Sequence, residues 1–247
     1  MPEFVSLGEN CLPDDVLSFV GKKNESYPFG SGRFNIEYII QIIESDFAEL
    51  MNPEYLIIGK TDKKEVVRNT LYSHQHPIYS DTVTLGFEFT HHNVLEEVPK
   101  KSFTRKIHRF RKALEEKKEL VFIYHYRYNP AQNPKLIIQL LENFLELLAK
   151  KYGSRYKCVL WYQNLEKRSR GLKINKEGNV LVGEFSTLQE WEGDDLWNGS
   201  SDRDLFTEFF ESKQMKQYVF GSFYFLQPLF TVAKKAVGKT KRVLLRS

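Results

Sequence analysis

The sequence predicts an α/β domain: a mainly parallel sheet with flanking helices, in a Rossmann-like three-layer arrangement, plus a C-terminal hairpin and a basic tail. Three observations predict it. Short apolar runs alternate along the chain with amphipathic stretches of helical period. Two of those runs, "ELVFIYHY" and "YKCVLWY", are almost continuously apolar, as strands covered on both faces are. Finally, "LKINKEGNVLVGEF" reads as a hairpin turning at Glu177–Gly178–Asn179.

Each element has a local reason. "EFVSL" is a short strand leading into the turn "GENC". Pro13 suits the first turn of a helix, where its missing N–H costs nothing, and Asp14 and Asp15 suit the positive end of the helix dipole. Gly21 ends that helix. After the loop "NESYPFGSGRF", Asn35 caps a helix in which Ile36, Ile39, Ile40, Ile43, Phe47 and Leu50 recur at helical spacing. "EYLIIG" reads as a short strand, and residues 82–90 alternate as a strand ending at His91 and His92. Ser102 is expected to cap a helix whose apolar stripe is Phe103, Ile107, Phe110 and Leu114; Arg105, His108, Arg109 and Lys112 lie mostly off it. "NPKLIIQLLENFLELLAKKYG" is a helix stopped near Gly153, and "SDRDLFTEFFES" a helix opened by Asp202 and Asp204.

The 247 residues suit one large domain with a substantial core. Cys11 and Cys158 lie far apart and form no Cys-x-x-Cys spacing, so neither a zinc cage nor a disulfide framework is expected. The opening residues have no signal-peptide pattern and no stretch spans a bilayer, so a cytoplasmic, reducing setting is expected. Charge is uneven: residues 213–247 hold eight Lys/Arg and no Asp/Glu, on a body that is mildly acidic. Residues 1–212 are therefore read as one α/β domain and 213–247 as a basic aromatic tail. In that tail, residues 229–246 form either a basic amphipathic helix, peripheral on an anionic membrane surface, or a solvated end. Positive charge does not spread over the body, which argues against a nucleic-acid partner.

Cys11 stands where a strand turns into a helix, the carboxyl edge at which open α/β sheets bind ligands. Helix N–H groups there can hold an anion or favour a thiolate; the alternative is simple packing, which is the reading for Cys158 in mid-strand. His91, His92 and Asn93 follow another strand end. One imidazole of the pair can act as base, with Asn93 orienting it; neighbouring side chains on extended backbone point opposite ways, and His91 is expected to face the site. Gly8 and Asn10 in the "LGENC" turn, Arg33 in the "GSGR" loop, and His125 and Arg127 at a further strand end are the expected substrate contacts. His74-x-His76 is a weak metal pattern, read as loop; the acidic residues at 193–195 and the pair Asp202 and Asp204 are candidates to hold a divalent ion, with Asp202 and Asp204 read mainly as helix-start residues. No metal site is expected.

Taken together, "SLGENC", "ESYPFG", "FEFTHHN" and "RKIHRFRKAL…LVFIY" resemble, in this order and over roughly residues 4–165, a family of uncharacterised proteins described as papain-like cysteine peptidases. The resemblance implies Cys11 as nucleophile and a histidine of the His91–His92 pair as base. Members of that family often carry an acid directly after "YPF", where this chain has Gly30. Three functions stay open. The first is a Cys–His enzyme of hydrolase or acyl-transferase type, with no cofactor, acting on a peptide, acyl or glycan substrate, in which helix N–H groups form the oxyanion site. The second is a nucleotide-sugar glycosyltransferase of surface-glycan assembly, with the turn and Arg33 on the phosphates and a divalent metal as the alternative cofactor. The third is a non-catalytic interaction protein.

Overall fold

The computed structural model describes residues 2–61, 64–73, 78–79, 84–127, 134–153, 156–166, 169–188, 191 and 202–221. Five strands form the main sheet: β1 (Glu3–Gly8), β5 (Leu120–Tyr126), β6 (Lys157–Asn164), β7 (Gly171–Glu177) and β8 (Val180–Ser186). Their order is β1-β5-β6-β8-β7, with every neighbouring pair parallel except the β7–β8 hairpin. The hairpin turns on Gly178, whose φ of +55° favours glycine.

Burial explains the apolar runs. Every residue of β5 is buried, and its side chains alternate between two cores. Phe122, Tyr124 and Tyr126 enter the larger core, beneath α2 (Ile36–Glu44), α3 (Glu97–Glu115) and α4 (Pro134–Tyr152). Val121 and Ile123 enter the second, beneath α1 (Leu12–Phe19), α5 (Arg203–Glu211) and α6 (Lys213–Phe220). The arrangement is the three-layer α/β fold with a mainly parallel sheet.

Three boundaries move from their sequence positions. Among the described residues, the strand expected at 82–90 is β4 (Phe87–Phe89). It lies outside the parallel sheet, in an antiparallel unit with β2 (Leu56–Lys60) and β3 (Glu65–Asn69), of order β2-β3-β4. Gly86, at φ +107°, lets the chain turn into β4: a Cβ there would come within 2.4 Å of the Asn69 carbonyl oxygen. Helix α3 starts at Glu97, six residues earlier than the Ser102 cap implies; Pro99 is tolerated because it falls in the first turn, where no N–H is required. The body also runs on past residue 212. Met215 and Val219 of α6 are buried in the second core, Tyr218 Oη donates to the Cys158 carbonyl at 2.9 Å, and Lys157 Nζ reaches the Val219 carbonyl at 2.6 Å. The remainder of the predicted tail, residues 222–247, lies outside the described residues, as do His74, His76 and residues 193–195. Among the described residues no helix is long and apolar enough to cross a membrane.

Candidate active site

The site begins where β1 ends. Gly8 has φ +138°, and a Cβ on it would lie 3.0 Å from both the N and the O of His125 across the β1–β5 pairing, so only glycine fits without strain. The next three residues diverge. Glu9 turns into the larger core, Asn10 lies over β5, and Cys11 becomes the residue before α1, partly exposed.

Asn10 holds the turn. Its Oδ1 accepts the Leu12 N–H at 3.1 Å and lies 3.1 Å from His125 Nδ1. Because that oxygen already faces one donor, the proton of the neutral imidazole must sit on Nδ1. His125 is almost fully buried with its ring 6.3 Å from both Trp161 and Trp191, and burial pushes it down to about 3, so it stays neutral. Its role is to lock the turn. Glu9 is equally enclosed: Oε1 accepts from Tyr124 Oη at 3.3 Å and Oε2 from the Arg127 N–H at 3.1 Å. Burial raises its carboxyl to about 8, against the weaker pull of Arg127 and Tyr124. Arg127 thus meets the site through its backbone.

The helix N-terminus does not supply the expected oxyanion donors. The Leu12 N–H is taken by Asn10, Pro13 has none, and the Asp14 and Asp15 N–H groups both point to the Cys11 carbonyl, at 3.0 and 3.2 Å.

Beyond Cys11, one turn along α1, Asp14 opens a second group of polar residues. Its Oδ2 pairs with Lys23 at 2.6 Å, and its Oδ1 fills the space beside Gly30, where a Cβ would lie only 2.8 Å away. A side chain at position 30 would therefore collide with the Asp14 carboxylate. Gly30 ends the 3-10 turn Pro28–Gly30, anchored by Phe29 against Phe34, Phe47 and Phe110. The next residue, Ser31, accepts from Lys106 Nζ of α3 at 2.9 Å. Three residues earlier on α3, Phe103 carries the His92 ring edge-on, with centroids 5.5 Å apart.

The histidine pair does point two ways, but the inward ring is His92. His91 is exposed. His92 is half-buried, its Nδ1 is enclosed without a hydrogen-bond partner, and its backbone N–H is fixed on the Phe89 carbonyl at 3.3 Å. Burial, then Lys106 and His91, hold it down to about 4, so this imidazole is neutral at ordinary pH. Asn93 serves the start of α3 rather than a ring: Nδ2 donates to Glu96 at 2.7 Å and Oδ1 accepts the Leu95 N–H at 3.3 Å.

Other expected residues fall elsewhere. Arg33 bridges its backbone to Glu88 of β4 and sets its Nε 3.9 Å from that buried carboxylate, which also holds Arg68 at 2.9 Å. Gly32 is there because a Cβ would reach 2.5 Å from the Glu88 carbonyl oxygen, so the "GSGR" loop is shaped for a strand, not a phosphate. Asp202 does not cap α5 with its side chain. Its carboxylate accepts from Arg170 Nε at 2.9 Å and from the Trp191 indole at 3.0 Å, and Asp204 also pairs with Arg170. Among the described residues there is no group of three or more metal-ligating side chains. Cys158 is fully buried and its thiol is pushed far up by burial, as packing requires.

Against this geometry stands the comparison with known families. Residues 2–164, more than half of the chain, match the family described as "Putative papain-like cysteine peptidase". The chain belongs to that family. No curated protein and no solved structure matches it. The match spans the Cys11 turn, the His91–His92 pair, α3 and β5, and ends at the last residue of β6, so Glu9, Asn10, Cys11, Asp14, Ser31, His92, Lys106 and His125 all lie within the family region.

Sequence reasoning missed three members of this assembly. Glu9 stood unremarked between two residues that were singled out, although a carboxylate directly after an apolar strand is a candidate for burial. Asp14 was read as a helix-start acid only. Lys106 falls one helical step from Phe103, at the margin of the apolar stripe, where a half-buried cation belongs.

Proposed function

We propose that this protein is a cysteine-dependent hydrolase of peptide bonds, with Cys11 as nucleophile and His92 as its base. The observation that carries the reading is the position of Cys11: a partly exposed thiol at the carboxyl edge of a parallel sheet, on a turn fixed by Gly8, Asn10 and His125, in a chain of a papain-like peptidase family. His92 supports it as the imidazole with a ring nitrogen enclosed and unbonded, since such an atom costs about 1–3 kcal/mol and calls for a use.

The chemistry then follows the two-step thiol pattern. His92 takes the proton of Cys11 as Sγ attacks the peptide carbonyl carbon, the C–N bond breaks, and the amine leaves with that proton. Water, losing a proton to His92, attacks the thioester; the carboxylic product departs and the thiol is restored. His125 stays outside this path, because its Nδ1–H is spent on Asn10 and burial opposes an imidazolium there.

The test is digestion of a diverse peptide library read by mass spectrometry, with wild type against Cys11→Ala and His92→Gln. Cleavage that disappears in Cys11→Ala and falls sharply in His92→Gln is expected. Cleavage undiminished in Cys11→Ala, or a well-folded wild type that cleaves nothing and is not alkylated at Cys11, overturns the reading; the second outcome favours a non-catalytic interaction protein.

A further inference from the structure

Lys106 is held in an unusual way. Its ammonium is half-buried, and its hydrogen bond goes to a neutral hydroxyl, Ser31 Oγ at 2.9 Å. Among the described residues no carboxylate lies within ion-pair distance of it. Asp14 acts on it only at longer range and already holds Lys23 at 2.6 Å, while Lys23 and Arg109 add like charge. Arg109 itself is engaged by Glu25 at 3.2 Å and by the Ser26 carbonyl at 2.6 Å. A partly desolvated ammonium without a counter-charge is costly, and proteins keep such groups where an anion comes to meet them.

The second observation is independent of the first. The enclosed Nδ1 of His92 also lacks a partner, and its ring packs on Phe103, on the same face of α3 as Lys106. Two polar groups from separate elements are therefore left wanting beside the same stretch of helix. The third wall is the 3-10 turn, whose Gly30 meets Asp14 one turn beyond Cys11 on α1.

We infer that Lys106 and Ser31 form an anion subsite, beside His92, that takes a carboxylate of the substrate. This rests on the peptidase reading and names its substrate class: peptides bearing an acidic side chain or a free C-terminal carboxylate near the cleaved bond. The bound carboxylate accepts from the Lys106 ammonium and from the Ser31 hydroxyl, whose oxygen continues to accept from Lys106. It has a consequence for the base. Lys106 is one of the charges that hold His92 down, with His91 beside it, so a carboxylate on Lys106 lifts the basicity of His92 when substrate is present.

The experiment reads binding, not turnover, so its failure and the failure of the peptidase reading are distinguishable. The full chain is titrated with N-acetyl-glutamate α-amide, which carries a side-chain carboxylate, and separately with N-acetyl-glycine, which carries a terminal one; N-acetyl-glutamine α-amide is the neutral control. The readout is the His92 Cε1–H resonance followed against pH. Expected is a saturable shift with one or both carboxylates and a rise in the His92 midpoint, absent with the amide. Lys106→Met should weaken the binding about tenfold or more, and Lys106→Arg should largely restore it. Ser31→Ala, which keeps the charge, should give a smaller loss. The response to the two carboxylates identifies which kind of group the subsite takes. No shift with either carboxylate, the same shift with the amide, or unchanged binding in a folded Lys106→Met overturns the proposal.

Discussion

His125 and His92 are both neutral, one buried and one half-buried, and their surroundings differ. Around His125 the polar groups of the turn are paired, although the Trp161 indole N–H beside the ring is buried without a partner. Asn10 takes its Nδ1–H and the Leu12 N–H at once, two tryptophans enclose the ring, and the neighbouring Glu9 has a donor on each oxygen. Around His92 the demands are open: a ring nitrogen without a partner, an ammonium whose hydrogen bond is to one hydroxyl, and a carboxylate committed elsewhere. The first region's polar groups hold the strand-to-helix turn; those of the second are the ones we propose for a ligand. Cys11 directly follows Asn10 of the first region and precedes α1, whose Asp14 belongs to the second. Open α/β sheets bind ligands at this edge.

The comparison can be broken most severely at the thiol. Cys11→Ala should lower peptide hydrolysis by about a thousandfold or more while leaving the fold intact, since this side chain is partly exposed. Steady-state kinetics beside a circular-dichroism melt would check both halves.

Next in size is the buried carboxyl. Glu9 takes up protons more readily in the folded chain, at about 8, than at its ordinary 4.5. Its stabilising protonation is complete below the lower value and is lost as pH rises through the upper one. Stability should therefore fall between about pH 5 and pH 8, by no more than about 1.4 kcal/mol per pH unit, and level off above. Glu9→Gln should flatten that slope, and urea denaturation across the range would show a steep wild-type profile left unchanged if the carboxyl is not the cause.

A smaller effect separates the two regions by chemistry. Asn10→Ala strips His125 Nδ1–H and the Leu12 N–H of their acceptor together and should cost about 1–3 kcal/mol. The smallest expected change is the most pointed. His92→Leu removes an unsatisfied nitrogen and should be neutral or stabilising by up to about 1 kcal/mol, while activity collapses. If His92→Leu destabilises as much as Asn10→Ala does, the His92 region is as structural as the turn and the contrast fails.

Much of this was legible in the chain itself. The continuous apolar run "LVFIYHY" gave a fully buried central strand, because covering both faces of a sheet leaves no polar side to alternate with. Asn35 capped α2 as expected, accepting the Tyr38 N–H at 3.1 Å. The strand leading into Cys11 implied a parallel sheet, and the sheet is there. What stayed hidden was tertiary. Nothing local says that "FEF" pairs antiparallel with Val67 and its neighbours instead of joining the main sheet, because strand propensity carries no partner. The same gap misled the choice between His91 and His92: alternation says that one turns inward, and only the packing of Phe103 decides which. Arg33 looked like a phosphate ligand until its partner, Glu88, arrived from 55 residues further on. Lys106 could not be valued without Ser31, which is 75 residues away.

The central claim is that Cys11 attacks and His92 takes its proton. Trapping the acyl intermediate tests it most directly. A peptide ester is mixed with the protein, the reaction is quenched in acid within the turnover time, and the adduct is located by mass spectrometry. The account predicts a thioester on Cys11 in wild type, none in Cys11→Ala, and a much slower build-up in His92→Gln. Turnover without an adduct on Cys11, or an adduct that forms as fast in His92→Gln as in wild type, would contradict it.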